Sequence, residues 1–351
     1  MGAAICERAV DLGRTVREWR RALACPLNTV NEARGAFERQ RGLKTCGGRM
    51  NTLALEQVES WSGPPLVLFV GVNTAGSLVH AVFDHWAALL GRPWVLRGVD
   101  LPSDTSAESY RRLVIAVRDN PVVHGAVITA HKVRLYRACA GDLRQHDELV
   151  GITREVNTLS AAGGGVHAYA RDALSLTRIL PTAPNVLCLG AGGAGRALLL
   201  ALHRSHATTS AVFADTDPNA LEGLRAVAVR AGIDPARLSL VSVRSRDECD
   251  ALVAGLPEPA LVVNATGLGK DAPGSPVTDQ APFSSAMLAW DFNYRGTLTF
   301  LHQAAALRAS TMDGWDYFIA GWAGALTAIA EMPFTDDILT QFGQVAAPYR
   351  P

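Results

Sequence analysis

The stretch NVLCLGAGGAGRALLLALHRSHATTSAVFAD, residues 185–215, decides the fold. It opens on a short apolar run, NVLCL, that reads as a buried strand. GAGGAG follows as a glycine turn and runs into the helical pattern RALLLALHRS. TTSAVFAD is a second strand, and it ends in an acid. The turn fits G-x-G-x-x-G with Gly190, Gly192 and Gly195, and Asp215 lies twenty residues past the last glycine. That glycine spacing alone is a weak signal. A strand before it, a helix after it and an acid ending the next strand together make a dinucleotide-binding unit. Gly190 permits the tight turn, Gly192 lets backbone approach a pyrophosphate, and Gly195 lets helix pack on strand. The helix start offers unpaired N–H groups to phosphate, so Ala191, Gly193 and Ala194 join the glycines as candidate cofactor contacts. A carboxylate at 215 accepts hydrogen bonds from ribose hydroxyls and repels a 2′-phosphate, so NAD is expected over NADP. Arg204 and Arg225 are the cations near enough in sequence to offset that preference.

Outward from this unit the alternation continues. PNALEGLRAVAVRAG reads as a helix, LSLVSV and LVVNAT as strands, and LAWDFNY as another. A helix is expected from Thr297, and a long one from about Trp315 to Glu331. Upstream, PLVLFVGV, WVLRGVDL and VHGAVIT read as strands. Between them SLVHAVFDHWAALLG is an amphipathic helix ended by Gly91, and SAESYRRLVIAVRDN a helix with Ser106 as its cap. GITREVNTLSAAGGGVHAYA reads as two extended segments around a glycine turn. Repeated strand–helix units predict an α/β protein of two domains. The first is an α/β substrate domain over residues 50–172, completed by C-terminal helices within 315–351. The second is a Rossmann domain with a doubly wound parallel sheet over 173–314. Residues 1–49 read as a loosely ordered extension, and Met50 is a candidate start because regular structure becomes legible soon after it. The extension is expected to be dispensable for fold and chemistry.

Composition narrows the function. The 351 residues are 48% hydrophobic and 19% charged, which fits a globular protein with a large core. Formal net charge is zero, so nothing favours nucleic acid or an anionic membrane as partner. The longest apolar runs, such as ALLLAL, are too short to span a bilayer. The six cysteines form no CxxC pair and no Cys/His cluster. That argues against a metal site and a disulfide framework and for a reducing, cytoplasmic setting. The expected partner is a small molecule, with monomer and homodimer both open. Only three of the 33 basic residues are lysines, Lys44, Lys132 and Lys270. Arginine holds its proton near neutral pH, whereas lysine can exchange one when burial and charge move its pKa. Lys132 lies just past a strand end, where open α/β sheets bind ligands, and is therefore a candidate acid–base residue.

Several separated motifs, in order over about residues 65–335, resemble the shikimate dehydrogenases and their quinate-using relatives. VITAHK is similar to the segment that carries that family's catalytic lysine, which implies this role for Lys132. AYARDA falls where the family has its NTD motif, and the matching acid is Asp172. EVNT resembles AVNT, which implies a substrate contact for Asn157. DFNYRGTLT resembles D-x-x-Y-x-P-x-x-T and makes Tyr294 the matching tyrosine. NATGLGK resembles the NAT-x-x-G loop beside the nicotinamide, which implies cofactor contacts at Asn264, Thr266 and Gly267. DGWDYFIAGWAGAL resembles the C-terminal segment that returns to the substrate domain, and places Gly314 among the cofactor contacts. The resemblance implies hydride transfer between a nicotinamide and a ring hydroxyl or ketone, with Lys132 exchanging the hydroxyl proton and Asp172 holding the ammonium.

The departures lie in the polar lining. Where the family's serine pair binds a ring carboxylate, this chain reads TAGS: Thr74 keeps a hydroxyl and Gly76 does not. Ala126, Ile128, Ala170, Arg171 and Gly321 stand where the family has asparagine, threonine or glutamine. Shikimate itself is therefore expected to be a poor substrate, with Trp315 and Trp322 either apolar walls for a bulkier one or core residues of the last helix. Three readings follow: an NAD-dependent dehydrogenase of a shikimate-, quinate- or cyclitol-like compound, the same scaffold turned to another reaction, or a non-catalytic ligand sensor.

Overall fold

A computed structural model of the chain describes residues 51–143, 145–269 and 272–351. The extension, Met50 and Lys270 lie outside the described residues. Two six-stranded sheets organise the rest.

The first lobe opens with helix α1 (Leu55–Glu59), strand β1 (Leu66–Gly71), helix α2 (Val79–Leu89) and strand β2 (Val95–Asp100). Helix α3 (Ala107–Asp119), strand β3 (Val123–Ile128) and helix α4 (Lys132–Cys139) follow. Next come β4 (Gln145–His146), α5 (Glu148–Thr153), β5 (Thr158–Ala162), β6 (Gly165–Tyr169) and α6 (Asp172–Ile179). The strand order is β2-β1-β3-β5-β6-β4, and β5 alone runs antiparallel to its neighbours. Every residue of β1 is buried, as expected for a parallel strand covered on both faces. Ser106 caps α3 as its sequence suggests, accepting from the Ser109 N–H.

The second lobe contains β7 (Asn185–Leu189), α7 (Gly193–Ser205), β8 (Ser210–Asp215), α8 (Pro218–Arg230), β9 (Leu238–Ser242) and α9 (Arg246–Ala254). It continues with β10 (Ala260–Asn264), β11 (Met287–Asp291), α10 (Thr299–Ala306) and β12 (Ser310–Met312). Its order, β12-β11-β10-β7-β8-β9, is that of a doubly wound sheet, with all pairs parallel. The chain first builds outward from β7 through β8 and β9, then returns and builds the other way from β10. The switch point therefore lies between the carboxyl ends of β7 and β10, at Gly190 and Asn264, where ligands of such sheets bind. Helix α11 (Trp315–Ile329) then packs on α6, and α12 (Asp336–Ala346) packs on α11 and α2.

Two features depart from the sequence reading, and a third decides between its alternatives. The GIT of GITREVNT ends helix α5 instead of starting an extended segment. Asp147 caps that helix through the Val150 N–H, and Arg154 in the left-handed region (φ 57°) stops it. Strand β12 has no counterpart in the sequence reading, because its three residues are too few to show a period. Trp315 and Trp322 are core residues rather than walls, 4% and 6% exposed. The Trp322 ring packs on Phe69 at 5.2 Å and on Trp86 at 6.4 Å.

Candidate active site

The glycine turn is built by backbone proximity. Gly190 has φ 111°, and a Cβ there would lie 2.7 Å from the Ala265 carbonyl of the loop after β10. A Cβ on Gly195 would lie 2.3 Å from the Gly190 oxygen, so the first turn of α7 packs directly on the end of β7. At Gly192 a Cβ would meet nothing within 4 Å. That open face, above the N–H groups that begin α7, is the shape a pyrophosphate needs. Asp215 accepts from the Ala191 N–H at 2.7 Å and from the Asp217 N–H at 2.9 Å. Its two oxygens have further lone pairs for ribose hydroxyls, so the turn and the acid fit a dinucleotide.

The loop after β10 is held from beneath. Asn264 is fully buried and donates to Asp291 at 2.9 Å, while its oxygen accepts from both the N–H and the hydroxyl of Thr266. Asn264 and Thr266 thus shape the loop, and Gly267 (φ 81°) presents an open face at its tip. Gly314 serves packing: a Cβ there would lie 2.1 Å from the Phe292 oxygen. Burial pushes the Asp291 carboxyl up to about 6, against the pull of hydrogen bonds from Asn293 and Asn264.

On the first lobe, Lys132 is the first residue of α4 and Asp172 the first of α6. Their side chains form an ion pair between Lys132 Nζ and Asp172 Oδ2. The other Asp172 oxygen accepts from Asn157 Nδ2 at 2.7 Å. The Asn157 oxygen accepts in turn from the Arg171 N–H and from the Thr158 hydroxyl. With 4% of its surface exposed, Asn157 orients Asp172. The carboxylate also sits at the N-terminal end of its helix, which favours its charge, while Lys132 occupies the same end of α4, which does not. Burial pulls the lysine pKa down, but the charges of Asp172 and Glu155 more than offset it and leave it above the ordinary lysine value.

The remaining sequence candidates are distributed differently. Thr74 is 1% exposed, and its N–H and hydroxyl both donate to Asp100 at 2.7 Å. Its hydroxyl proton is thus committed inside the lobe. Tyr294 packs on Trp315 and Phe318, with ring centroids 5.6 and 4.7 Å away. Ala126 and Ile128 lie in the core of β3. Gly76 and Gly321 each open onto space, with nothing within 4 Å of a Cβ. Arg295, from the loop after β11, donates to the Gly76 carbonyl at 2.9 Å and so ties the second lobe to the TAGS loop.

Sequence reading passed over three residues here. Glu155, inside the quoted EVNT, is 5% exposed and accepts from Arg196 Nη1 at 3.2 Å. Arg196 directly follows GAGGAG. Tyr317 has its ring 4.6 Å from that of Phe292, and burial, with the charges of Asp172 and Glu155, raises its pKa well above the ordinary tyrosine value. The available signal was a charged residue inside or beside each of two recognised motifs, Glu155 in EVNT and Arg196 after GAGGAG. Among the described residues no cluster of three or more His, Cys, Asp or Glu could hold a metal, and no helix is long and apolar enough to cross a membrane.

No family model and no curated protein matches the sequence. Solved structures do. The quinate dehydrogenase of Corynebacterium glutamicum, in complex with NAD, superposes with a TM-score of 0.65 at 22% identity, covering 80% of this chain and 98% of that one. The shikimate dehydrogenase of Aquifex aeolicus gives 0.63 at 18% identity, covering 82% and 98%. The shikimate 5-dehydrogenase of Thermus thermophilus, in complex with NADP(H) and shikimate, gives 0.61 at 22% identity, covering 80% and 99%. The chain therefore has the two-lobed fold of the shikimate and quinate dehydrogenases.

Proposed function

We propose that the protein is a nicotinamide-dependent oxidoreductase acting on a secondary alcohol of a shikimate-, quinate- or cyclitol-like ring. One observation carries the reading: a half-buried lysine–aspartate pair lies on one lobe of a fold whose other lobe carries a dinucleotide-type glycine turn after its first strand. When bound, the nicotinamide supplies the hydride acceptor or donor. Lys132 supplies the proton. Its raised pKa keeps it charged at neutral pH, so it is set to protonate a ketone oxygen as that oxygen gains negative charge. Alcohol oxidation needs the neutral amine and gains with rising pH. Asp172, oriented by Asn157, holds the ammonium in place. Asp215 favours NAD over NADP.

The open positions at Gly76 and Gly321 support a substrate bulkier or less polar there than shikimate. A polar group moved from water into this space without a partner costs on the order of 1–3 kcal/mol. The test is NADH absorbance across shikimate, quinate and substituted cyclitols, run beside a binding assay with the same compounds. Turnover that is lost in Lys132→Met supports the reading. Binding without turnover by the wild type would identify a ligand sensor instead.

A further inference from the structure

Glu155 takes no part in the chemistry proposed for Lys132 and Asp172, yet it lies where the two lobes meet. It belongs to the segment between α5 and β5. The next residue, Val156, donates its N–H to the Lys132 carbonyl at 3.2 Å, which fixes this segment beside the start of α4. Glu155, Asn157 and Asp172 line one small cavity, to which Ala197 of α7 contributes from the other lobe. The Glu155 carboxylate also lies against the glycine turn, with Oε2 3.4 Å from the position of a Cβ on Gly193. Arg196, in the first turn of α7, grips it at 3.2 Å. The arginine has its own fitted space, because a Cβ on Gly223 of α8 would lie 2.1 Å from Arg196 Nη2.

We propose that Glu155 is a second carboxylate partner of Lys132, held in position from the nucleotide-side lobe by Arg196, so that both lobes build the lysine site. This rests on the reading of Lys132 as the proton-transfer residue only for its consequence in catalysis. The cluster itself stands on the packing. A half-buried ammonium at a helix N-terminus is disfavoured twice, by desolvation and by the helix dipole. One carboxylate leaves that site neutral in sum, and Arg196 brings a further positive charge. A second buried carboxylate balances the arginine and leaves the Lys132–Asp172 pair intact.

The other charged and titratable groups around the cluster are occupied elsewhere. His131 is buried between Tyr110 and the Leu101 carbonyl, and burial lowers its pKa. Arg171 lies over the Tyr169 ring and near Asp147, and Arg154 bonds the Tyr136 hydroxyl. Arg230 of α8 donates to the Ile152 carbonyl. Burial, with the charges of Asp172 and Glu155, raises the pKa of Tyr317 of α11 well above the ordinary tyrosine value, so it stays a neutral phenol. Burial pushes the Glu155 carboxyl above the ordinary carboxylate range, and Lys132 and Arg196 pull it only part of the way back.

The scarcity of lysine makes the test direct. Full-length protein labelled with lysine carrying 13C at the ε carbon gives three signals, from Lys44, Lys132 and Lys270. The Lys132 signal is assigned by its loss in Lys132→Arg. Titration is compared between Asp172→Asn and Asp172→Asn/Glu155→Gln, since loss of the first carboxylate brings the midpoint into an accessible pH range. Removal of Glu155 should lower the Lys132 midpoint by about one pKa unit or more, the usual effect of a close opposite charge. Asp172→Asn/Glu155→Asp, which keeps the charge, should restore part of the shift. This variant also guards against misfolding of the Gln protein. Coincident Lys132 curves in all three would overturn the proposal and leave Glu155 as a lobe-to-lobe contact with Arg196 alone. No substrate or turnover enters this measurement. If Glu155→Gln moves the lysine titration in the Asp172→Asn background while Glu155→Gln alone leaves the pH profile of turnover unchanged, the cluster stands and the assignment of Lys132 to proton transfer fails.

Discussion

The glycine turn after β7 and the lysine site at the start of α4 meet through one side chain, Glu155, and are built by opposite means. The turn is backbone: its essential contacts are between Gly190, Gly195, Ala265 and the opening N–H groups of α7. At Gly190 and Gly195 its fit leaves no room for an added atom. The lysine site is side chain: Lys132, Asp172, Asn157 and Glu155 come from three separate segments, with Arg196 from the other lobe. Its fit depends on charge balance. A backbone site fixes where a ligand lies, whereas a side-chain site can change its lining residue by residue while its central ion pair is kept.

The largest effect expected from either region is at Lys132. Lys132→Met should lower turnover by about 10²–10⁴-fold, the usual worth of a positioned acid–base group, with the affinity for dinucleotide unchanged. Lys132→Arg should do nearly as badly, because the guanidinium keeps its proton. Steady-state kinetics beside nucleotide titration checks both halves. Near-normal turnover in the arginine variant would show that the pair only holds charge.

Gly190→Val tests the opposite kind of construction. At φ 111° a β-branched residue is strained, and its Cβ would overlap the Ala265 carbonyl at 2.7 Å. Strain and overpacking together should cost more than about 3 kcal/mol and be visible as a lower melting temperature. A stable Gly190→Val protein that still binds dinucleotide would mean that the turn is far more compliant than its packing indicates.

These two regions were unequally legible in the sequence. The turn is a local pattern, so strand, glycines, helix and acid could be read from a single run of 31 residues and placed at the switch point of the second sheet. Lys132 stood out for a compositional reason, and Asp172 came from the family resemblance. What could not be read was the orientation of the remaining side chains. Asn157 faces Asp172, and Thr74 faces Asp100, because of packing between segments 15 and 26 residues apart. Arg196 meets Glu155 across 41 residues and two lobes. Helix α5 was hidden in a β-branched stretch, and only the Asp147 cap and the left-handed Arg154 mark its limits. Trp315 and Trp322 looked like site walls because their sequence neighbours belong to the site motif, but the period of α11 turns both into the core.

A third test separates charge from backbone within the second lobe. Asp291 is fully buried under the loop after β10, and its carboxyl is pushed up to about 6 from the ordinary 3.8. A raised carboxyl pKa means that the folded protein keeps this proton over a range in which the unfolded chain has lost it. Stability from this group is therefore complete below about pH 4, falls as pH rises through 6, and is flat above that. The drop amounts to at most about 3 kcal/mol, at 1.36 kcal/mol per pKa unit. Asp291→Asn should remove that slope, so denaturant midpoints of the two proteins should diverge between pH 4 and 7. Parallel curves would show that Asp291 ionises without cost, through hydrogen bonds stronger than its burial.

The smallest effect is expected at Asp215, where the backbone turn and a side-chain charge coincide. Its carboxylate accepts the Ala191 and Asp217 N–H groups, so alanine would loosen the turn as well as remove the charge. Asp215→Asn is the sharper change, because the amide oxygen can still accept one of those bonds while the negative charge is lost. The wild type should bind NAD more tightly than NADP, since the carboxylate accepts from the ribose hydroxyls and repels a 2′-phosphate. In Asp215→Asn the preference should narrow by about tenfold, which corresponds to 1.4 kcal/mol. Most of the change should come from improved NADP binding, because the repulsion disappears while the turn persists. Fluorescence titration with both nucleotides at fixed ionic strength measures the two affinities separately. A wild type that prefers NADP would assign the 2′-position to a cation such as Arg204 or Arg225 and leave Asp215 as a brace for the glycine turn. A uniform loss for both nucleotides in Asp215→Asn would point the same way, because it would show that the acid acts on the backbone and not on the ribose.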